Sequence, residues 1–190
     1  MNLSARQDAL QRAREWAASQ PVFLDTETTG LTANDTVIEI AIVDYQGEVL
    51  FDKLVKPAGK IAPEASRVHH ITPEMVKDAP RWDSLWPEIE AILAGRMVVI
   101  YNADFDLRLI KQTHSRHWLR WNDPEGTRFV CLMKLYAQYY GQWDPRRGSY
   151  RYQSLDNAGK QCGLKLANTH RAKGDTLLAQ SLLLHLANQV

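Results

Sequence analysis

Apolar residues along this chain occur either at helical spacing or in short runs, and these two patterns predict the order of its helices and strands. Near the N-terminus they follow helical spacing up to Trp16 and Ala17, and Pro21 ends that segment. Three strand-like runs come next, the second and third joined by a predicted hairpin turn: Val22–Asp25, Val37–Asp44 and Val49–Lys56.

The remainder of the chain predicts helices that alternate with two more strands. A loop containing Pro63 leads to a short helix that begins at Pro73. The further predicted elements are helix Ser84–Leu93, strand Met97–Tyr101, helix Phe105–His117, strand Arg128–Cys131, helix Leu132–Tyr140, a loop over Gly141–Tyr152, and helices Ser154–Cys162 and Lys173–Asn188. This order predicts an α/β fold with a mixed sheet, in which three antiparallel strands precede parallel ones and helices cover both faces. We expect residues 1–20 to form a helix packed on a domain of residues 21–190.

Composition adds limits to this picture. A chain of 190 residues that is 45% hydrophobic can form one core, and its net charge of +1 requires any nucleic acid to be bound through a local patch. Cys131 and Cys162 lie in apolar surroundings without a CxxC spacing, which favours buried free thiols over a disulfide. No segment has the apolar length of a membrane span, and the N-terminus has no signal-peptide core, so we expect a soluble cytoplasmic protein without a membrane partner.

Two carboxylates stand together where the first apolar strand is predicted to end. Asp25 and Glu27 are two residues apart, so in a strand both side chains point to the same face. Adjacent anions repel unless a cation or a proton lies between them, and oxygen ligands of this kind suit Mg²⁺ or Mn²⁺. The alternative is a solvated strand end without a metal.

Two more acidic positions and a histidine occur at predicted helix starts. Asp106 lies on the inner side of its helix, where a charge needs a partner, whereas Asp104 fits an N-cap or charge complementation of the first turn. Asp175 opens an apolar helix and follows His170, and charge complementation of the first turn is its simpler explanation. Strand ends and helix starts can converge at one edge of an α/β sheet, where four acids suffice to hold two divalent ions and a histidine can take a proton from water.

These motifs resemble the histidine-containing branch of the DEDD exonuclease superfamily, and within it the epsilon-type proofreading exonucleases of DNA polymerase III. The resemblance covers about residues 20–188 and departs from the family pattern at Tyr101 and His70. It is carried by three motifs in order: Asp25-Thr-Glu-Thr-Thr-Gly-Leu31, Asn102-Ala-Asp-Phe-Asp106 and His170-Arg-Ala-Lys-Gly-Asp175.

The resemblance implies a ribonuclease-H-like fold and release of nucleoside 5′-monophosphates from 3′ ends by a two-metal mechanism. It implies that Asp25, Glu27 and Asp175 hold one Mg²⁺ or Mn²⁺ ion, that Asp25 and Asp106 hold a second, and that His170 is the general base. The residues that it implies for contact with the terminal nucleotide are Thr26, Thr28, Gly30, Leu31, His69, Asn102 and Phe105.

We expect the substrate to be single-stranded 3′ ends, of DNA in preference to RNA, with a DNA polymerase as a possible partner. The chain is expected to be a monomer or a homodimer, with Trp118 and Trp121 as a possible contact. Residues 144–173 carry seven basic residues against two acidic ones, which fits either a phosphate-binding stretch or a solvated face. The alternative functions are a non-catalytic nucleic-acid-binding or polymerase-partner module, and a phosphoesterase or oligoribonuclease that acts on short RNA.

Overall fold

A central mixed sheet organises the chain. The computed structural model describes residues 3–166 and 168–189, and its five-stranded sheet has the order β3-β2-β1-β4-β5. The strands of this sheet are β1 (Val22–Thr28), β2 (Val37–Val43), β3 (Val49–Leu54), β4 (Met97–Ile100) and β5 (Arg128–Cys131). The β1-β2 and β2-β3 pairs are antiparallel, and the β1-β4 and β4-β5 pairs are parallel, which confirms the predicted mixed sheet.

Helices cover both faces of this sheet, as predicted. Their bounds are α1 (Leu3–Ala18), α2 (Pro63–His69), α3 (Pro73–Val76), α4 (Trp82–Leu93), α5 (Ala103–Arg116), α6 (Leu132–Tyr140), α7 (Leu155–Gln161) and α8 (Ala172–Ala187). Side chains of β1 alternate between two cores: Phe23 packs with α1, α6 and α8, whereas Val22 and Leu24 pack with α4 and α5. Both cores therefore hold β1 in place from opposite sides.

The N-terminal helix shares the first of these cores. Ala9, Ala13 and Trp16 of α1 are buried against α6 and α8. Arg6 adds a polar contact, since its guanidinium donates a 2.8 Å hydrogen bond to the Tyr139 hydroxyl and lies over the Tyr139 ring. The division into residues 1–20 and a domain of residues 21–190 stays a prediction. Residues 1, 2, 167 and 190 lie outside the residues that the structure describes.

Two predicted loops were wrong. The segment at Pro63 is helix α2, because proline fits the first turn of a helix, and His70 at φ 60° ends it. The polar stretch Gly141–Tyr152 contains a short hairpin formed by β6 (Trp143–Asp144) and β7 (Ser149–Tyr150).

Other expectations from composition can be compared directly with the structure. The two cysteines are free thiols as predicted, but both are half-buried rather than buried. Over the described ranges, no helix combines the length and the apolarity needed to cross a bilayer.

The central strand extends beyond one of its neighbours, and this extension positions the site. β4 pairs only with Val22 and Phe23 of β1, whereas β2 continues to pair with β1 as far as Thr28. β1 was predicted to end at Asp25, but it runs on to Thr28, so Asp25 and Glu27 both belong to the strand. One edge of this half of β1 is thus left open toward α5.

Candidate active site

Three carboxylates meet beside the central strand. Asp25 and Glu27 project from the same face of β1, and Asp175 reaches them from the first turn of α8. One carboxylate oxygen of each residue lies within 4.8 Å of the others, which is close enough for one metal ion to bind all three. The structure therefore brings together three of the four predicted metal ligands as one cluster.

The fourth predicted ligand, Asp106, docks against the open edge of β1. Its Oδ1 atom accepts hydrogen bonds from the Thr26 N–H at 3.2 Å and from the Thr26 hydroxyl at 2.7 Å. This carboxylate takes the place of the strand acceptor that is missing because β4 ends at Ile100. Asp106 is buried, and its charge acts strongly on Asp25.

The site disfavours four ionised acids in the absence of a cation. Burial, followed by the Asp106 charge, raises the pKa of Asp25 well above its usual range. Burial and then the Asp175 charge raise the pKa of Glu27 to about 8, and burial raises the pKa of Asp106 to about 7. Burial also raises the pKa of Asp175. A divalent cation would remove this repulsion, and the all-oxygen donor set fits such an ion.

Protein cations do not neutralise this cluster. Within the described part of the chain, none of the four carboxylates forms a salt bridge with a lysine or an arginine. Arg171 lowers the pKa of Glu27 in part, but its guanidinium is already bonded to Glu39. The donor set is therefore left with uncompensated negative charge, as a metal site requires.

Glu39 is a structural residue of the site that the sequence reasoning missed. This buried β2 residue lies opposite Glu27 and accepts hydrogen bonds at 3.0 Å from Arg171 and at 2.9 Å from the N–H of Ala172. It thus fixes the start of α8, and with it the position of Asp175. A lone acid within the apolar run of Val37–Val43 was the available signal, because a buried charge requires a partner.

His170 lies on the loop immediately before α8. The side chain is exposed, the backbone is in the left-handed region at φ 49°, and its N–H donates to Asn168 Oδ1 at 3.0 Å. The same loop is tied to the cluster because the Thr169 N–H donates to Asp175 Oδ1 at 2.9 Å. Gly174 allows this approach, since a Cβ atom there would lie 2.0 Å from the Thr169 hydroxyl oxygen.

A pocket of about 410 Å³ opens beside Glu27, and six of the seven predicted nucleotide-binding residues line it. The exception is Asn102, which is exposed at the start of α5 and outside this lining. The six are Thr26, Thr28, Gly30, Leu31, His69 and Phe105.

His69 lines this pocket, but both of its ring nitrogens are bonded within the protein. The side chain is buried, its Nδ1 accepts the Ile71 N–H at 3.0 Å, and its Nε2 lies 3.2 Å from the Thr28 carbonyl oxygen. Because Nδ1 accepts, Nε2 carries the proton and donates a hydrogen bond to the Thr28 carbonyl oxygen. Burial lowers the pKa of His69, which favours this neutral form.

The predicted basic stretch between residues 144 and 173 is largely engaged within the protein. Arg171 is bonded to Glu39, and Lys173 pairs with Asp52 at 3.2 Å. The other ion pairs in this stretch join Arg147 and Arg151 to Asp144 and Lys160 to Asp156. Much of its positive charge is therefore already compensated.

The sequence and the fold match known exonucleases. A family model described as RNase_T exonuclease matches residues 22–183. The chain is 36% identical over 178 residues to the "Uncharacterized exonuclease CP81" of Escherichia phage 186, which covers 91% of both chains. It is 31% identical over 162 residues to the DNA polymerase III subunit epsilon of Treponema pallidum, covering 83% of this chain and 72% of that protein.

A solved structure has the same architecture. Exonuclease X, in complex with 5′ overhanging duplex DNA, superposes with a TM-score of 0.67 at 27% identity and covers 88% of this chain and 90% of its own. The sheet topology and this match confirm the predicted ribonuclease-H-like fold. Since the family model spans most of the residues and the acidic motifs meet at one site, the chain belongs to the RNase T exonuclease family of the DEDD superfamily.

Proposed function

We propose that this exonuclease removes nucleotides stepwise from the 3′ ends of single-stranded DNA and releases nucleoside 5′-monophosphates, with two Mg²⁺ or Mn²⁺ ions as cofactors. The observation that carries the proposal is the convergence of Asp25, Glu27, Asp106 and Asp175 beside a nucleotide-sized pocket. A polymerase partner stays a prediction, supported by the name of the T. pallidum relative, which is a polymerase subunit.

The carboxylates divide into two overlapping sets. Asp25, Glu27 and Asp175 would hold one ion, and Asp25 with Asp106 would hold the other. Bound divalent ions would make water a stronger nucleophile and stabilise the negative charge that develops at phosphorus and on the leaving 3′ oxygen.

The neighbouring residues would position the substrate and move the proton. In this proposal, Leu31 and Phe105 pack against the terminal base whatever its identity, because both offer apolar surface at the pocket. His170 accepts the proton of the attacking water at an imidazole nitrogen, since its exposed ring is free to reach the reacting phosphate beside Asp175.

A degradation experiment on end-labelled oligonucleotides tests the proposal. With a 5′-labelled single strand of DNA, we expect a ladder of products that shortens from the 3′ end in Mg²⁺ or Mn²⁺ and no cleavage in chelator. Parallel reactions with duplex DNA, long RNA and short RNA identify the preferred substrate. Binding without cleavage would support the alternative of a non-catalytic module, and activity confined to short RNA would support an oligoribonuclease.

Thermal stability of the metal-free protein is expected to fall as pH rises from about 4 to about 8. Across this window the folded chain binds more protons than the unfolded chain, because Glu27 and Asp106 ionise at higher pH when folded. Saturating Mn²⁺ should therefore raise Tm at pH 8 by about 5–10 °C and have little effect at pH 5. Differential scanning fluorimetry in chelator and in Mn²⁺ measures both effects.

The control for this experiment is NaCl at matched ionic strength, which screens charge without binding the cluster. The same rise of Tm with NaCl, or an equal rise with Mn²⁺ at both pH values, would contradict a metal site formed by these acids.

A further inference from the structure

The exposed face of α5 leads away from the candidate pocket. Phe105 in its first turn lines that pocket, and the Arg108 guanidinium lies 5.3 Å from the centre of the Phe105 ring. Arg108 also donates to the carbonyl oxygen of Leu31, an exposed residue that lines the same pocket. The face therefore begins beside the pocket.

Two shallow depressions continue along this face. One of about 530 Å³ includes Arg108 and Lys111, and one of about 420 Å³ includes Arg116 and Trp118. They share Gln112 and Ser115, so they form one path. At the rise of an α-helix, the distance from Phe105 to Arg116 at the end of α5 is about 17 Å, which is long enough for several nucleotides.

This path carries positive charge that acidic side chains leave uncompensated. Arg108, Lys111 and Arg116 have no salt bridge to any acid that the structure describes. Asp104, at the start of the path, is paired with Lys134 at 2.6 Å. Asp35, which feels the charge of Arg108, accepts its hydrogen bonds within its own loop.

Trp118 at the far end is exposed in an unusual way. Its side chain is 95% exposed, and its backbone is in the left-handed region at φ 60°, which disfavours any residue with a side chain. A large apolar ring gains no burial here, and the left-handed backbone that carries it points to a functional role. Aromatic rings in such positions serve as stacking platforms for unpaired bases.

We propose that the α5 track, defined as Phe105, Arg108, Lys111, Arg116 and Trp118, binds the nucleic-acid strand outside the terminal-nucleotide pocket. The three cations contact phosphates, and the Trp118 indole stacks on an unpaired base several nucleotides from the scissile bond. This inference rests on the proposed function, because it requires a polymeric substrate. Positive charge on the path favours nucleic acid over a second copy of the chain as its occupant.

The β6-β7 hairpin offers a competing surface with similar chemistry. Trp143 is 53% exposed there, and Arg147 and Arg151 lie nearby in sequence. Both arginines, however, pair with Asp144, and Trp143 packs against Tyr150 at 5.2 Å between ring centres. Trp143→Ala is therefore the matched control for Trp118→Ala.

Fluorescence anisotropy in chelator measures binding without hydrolysis, on labelled dT oligonucleotides of two and about 12 residues. We expect Trp118→Ala to weaken binding of the longer one about tenfold and of the dinucleotide less than about twofold, with Trp118→Phe restoring most of the loss. Trp143→Ala should have no such effect. Lys111→Gln should reduce the slope of log affinity against log salt by about 0.7.

Each other outcome of these binding measurements decides against the α5 track. Equal loss on both oligonucleotides, loss with Trp143→Ala instead, or a wild-type dimer that Trp118→Ala dissociates in sedimentation would overturn it. Should Trp118→Ala fold poorly by circular dichroism, Trp118→Gly replaces it, because glycine accepts this backbone conformation. If the wild type binds DNA through Trp118 but never cleaves it, the proposed function fails while the track stands.

Discussion

Replacing Asp25 by asparagine is expected to abolish hydrolysis, which is the largest effect among our predictions. Asp25 belongs to the cluster with Glu27 and Asp175, and among the neighbouring charges that of Asp106 raises its pKa most, so we expect it to contribute to both ions. Asparagine keeps the size of the side chain but removes the charge that attracts a divalent cation. Steady-state cleavage of 5′-labelled DNA in Mn²⁺ should fall below detection.

The fold should survive this change. An acid whose pKa is raised by burial and by like charges destabilises the folded state when it ionises, so Asp25→Asn should match or exceed the wild-type Tm at pH 8 without metal. The Mn²⁺-dependent rise in Tm should shrink at the same time. Asp156→Asn, an exposed acid paired with Lys160 on α7, provides the matched control with unchanged activity. Substantial cleavage by Asp25→Asn would rule out the assignment of this cluster as the catalytic centre.

Replacing His170 by alanine is expected to lower kcat by about 10²–10⁴ with a small change in KM. The ring is exposed on the loop between Thr169, which is bonded to Asp175, and Arg171, which is bonded to Glu39. Neither the Thr169–Asp175 bond nor the Arg171–Glu39 bond involves the imidazole. Both bonds should therefore keep the loop and the acidic cluster in place after the substitution. Single-turnover cleavage at saturating enzyme measures the chemical step directly.

His70→Ala is a suitable control for this prediction. His70 is also an exposed histidine with its backbone in the left-handed region, but it ends α2 and lies outside the acidic cluster. We expect His70→Ala to cleave at the wild-type rate. His170→Ala should keep the Mn²⁺-dependent rise in Tm, because its acidic cluster is unchanged. Comparable rates for both variants would show that another group accepts the proton.

Local sequence was sufficient where the physical cause is local. Short apolar runs predicted the strands of the sheet, and the two-residue spacing placed Asp25 and Glu27 on one face. The helix at Pro63 was missed because it has only about two turns and its buried residue, His69, is not apolar. The end of β1 was also set too early, since the antiparallel partner β2 keeps it extended to Thr28.

The sequence by itself determined the order of the five strands of the central sheet, its mixed character and the residue types of the site. The tertiary structure alone decided how Asp106 and α8 reach that site. Asp106 binds the backbone of Thr26 because β4 stops short and leaves that edge of β1 open, and Glu39 fixes the start of α8 through Arg171. Such contacts join residues 80 and 132 positions apart, and they depend on strand lengths and helix packing that no local pattern encodes.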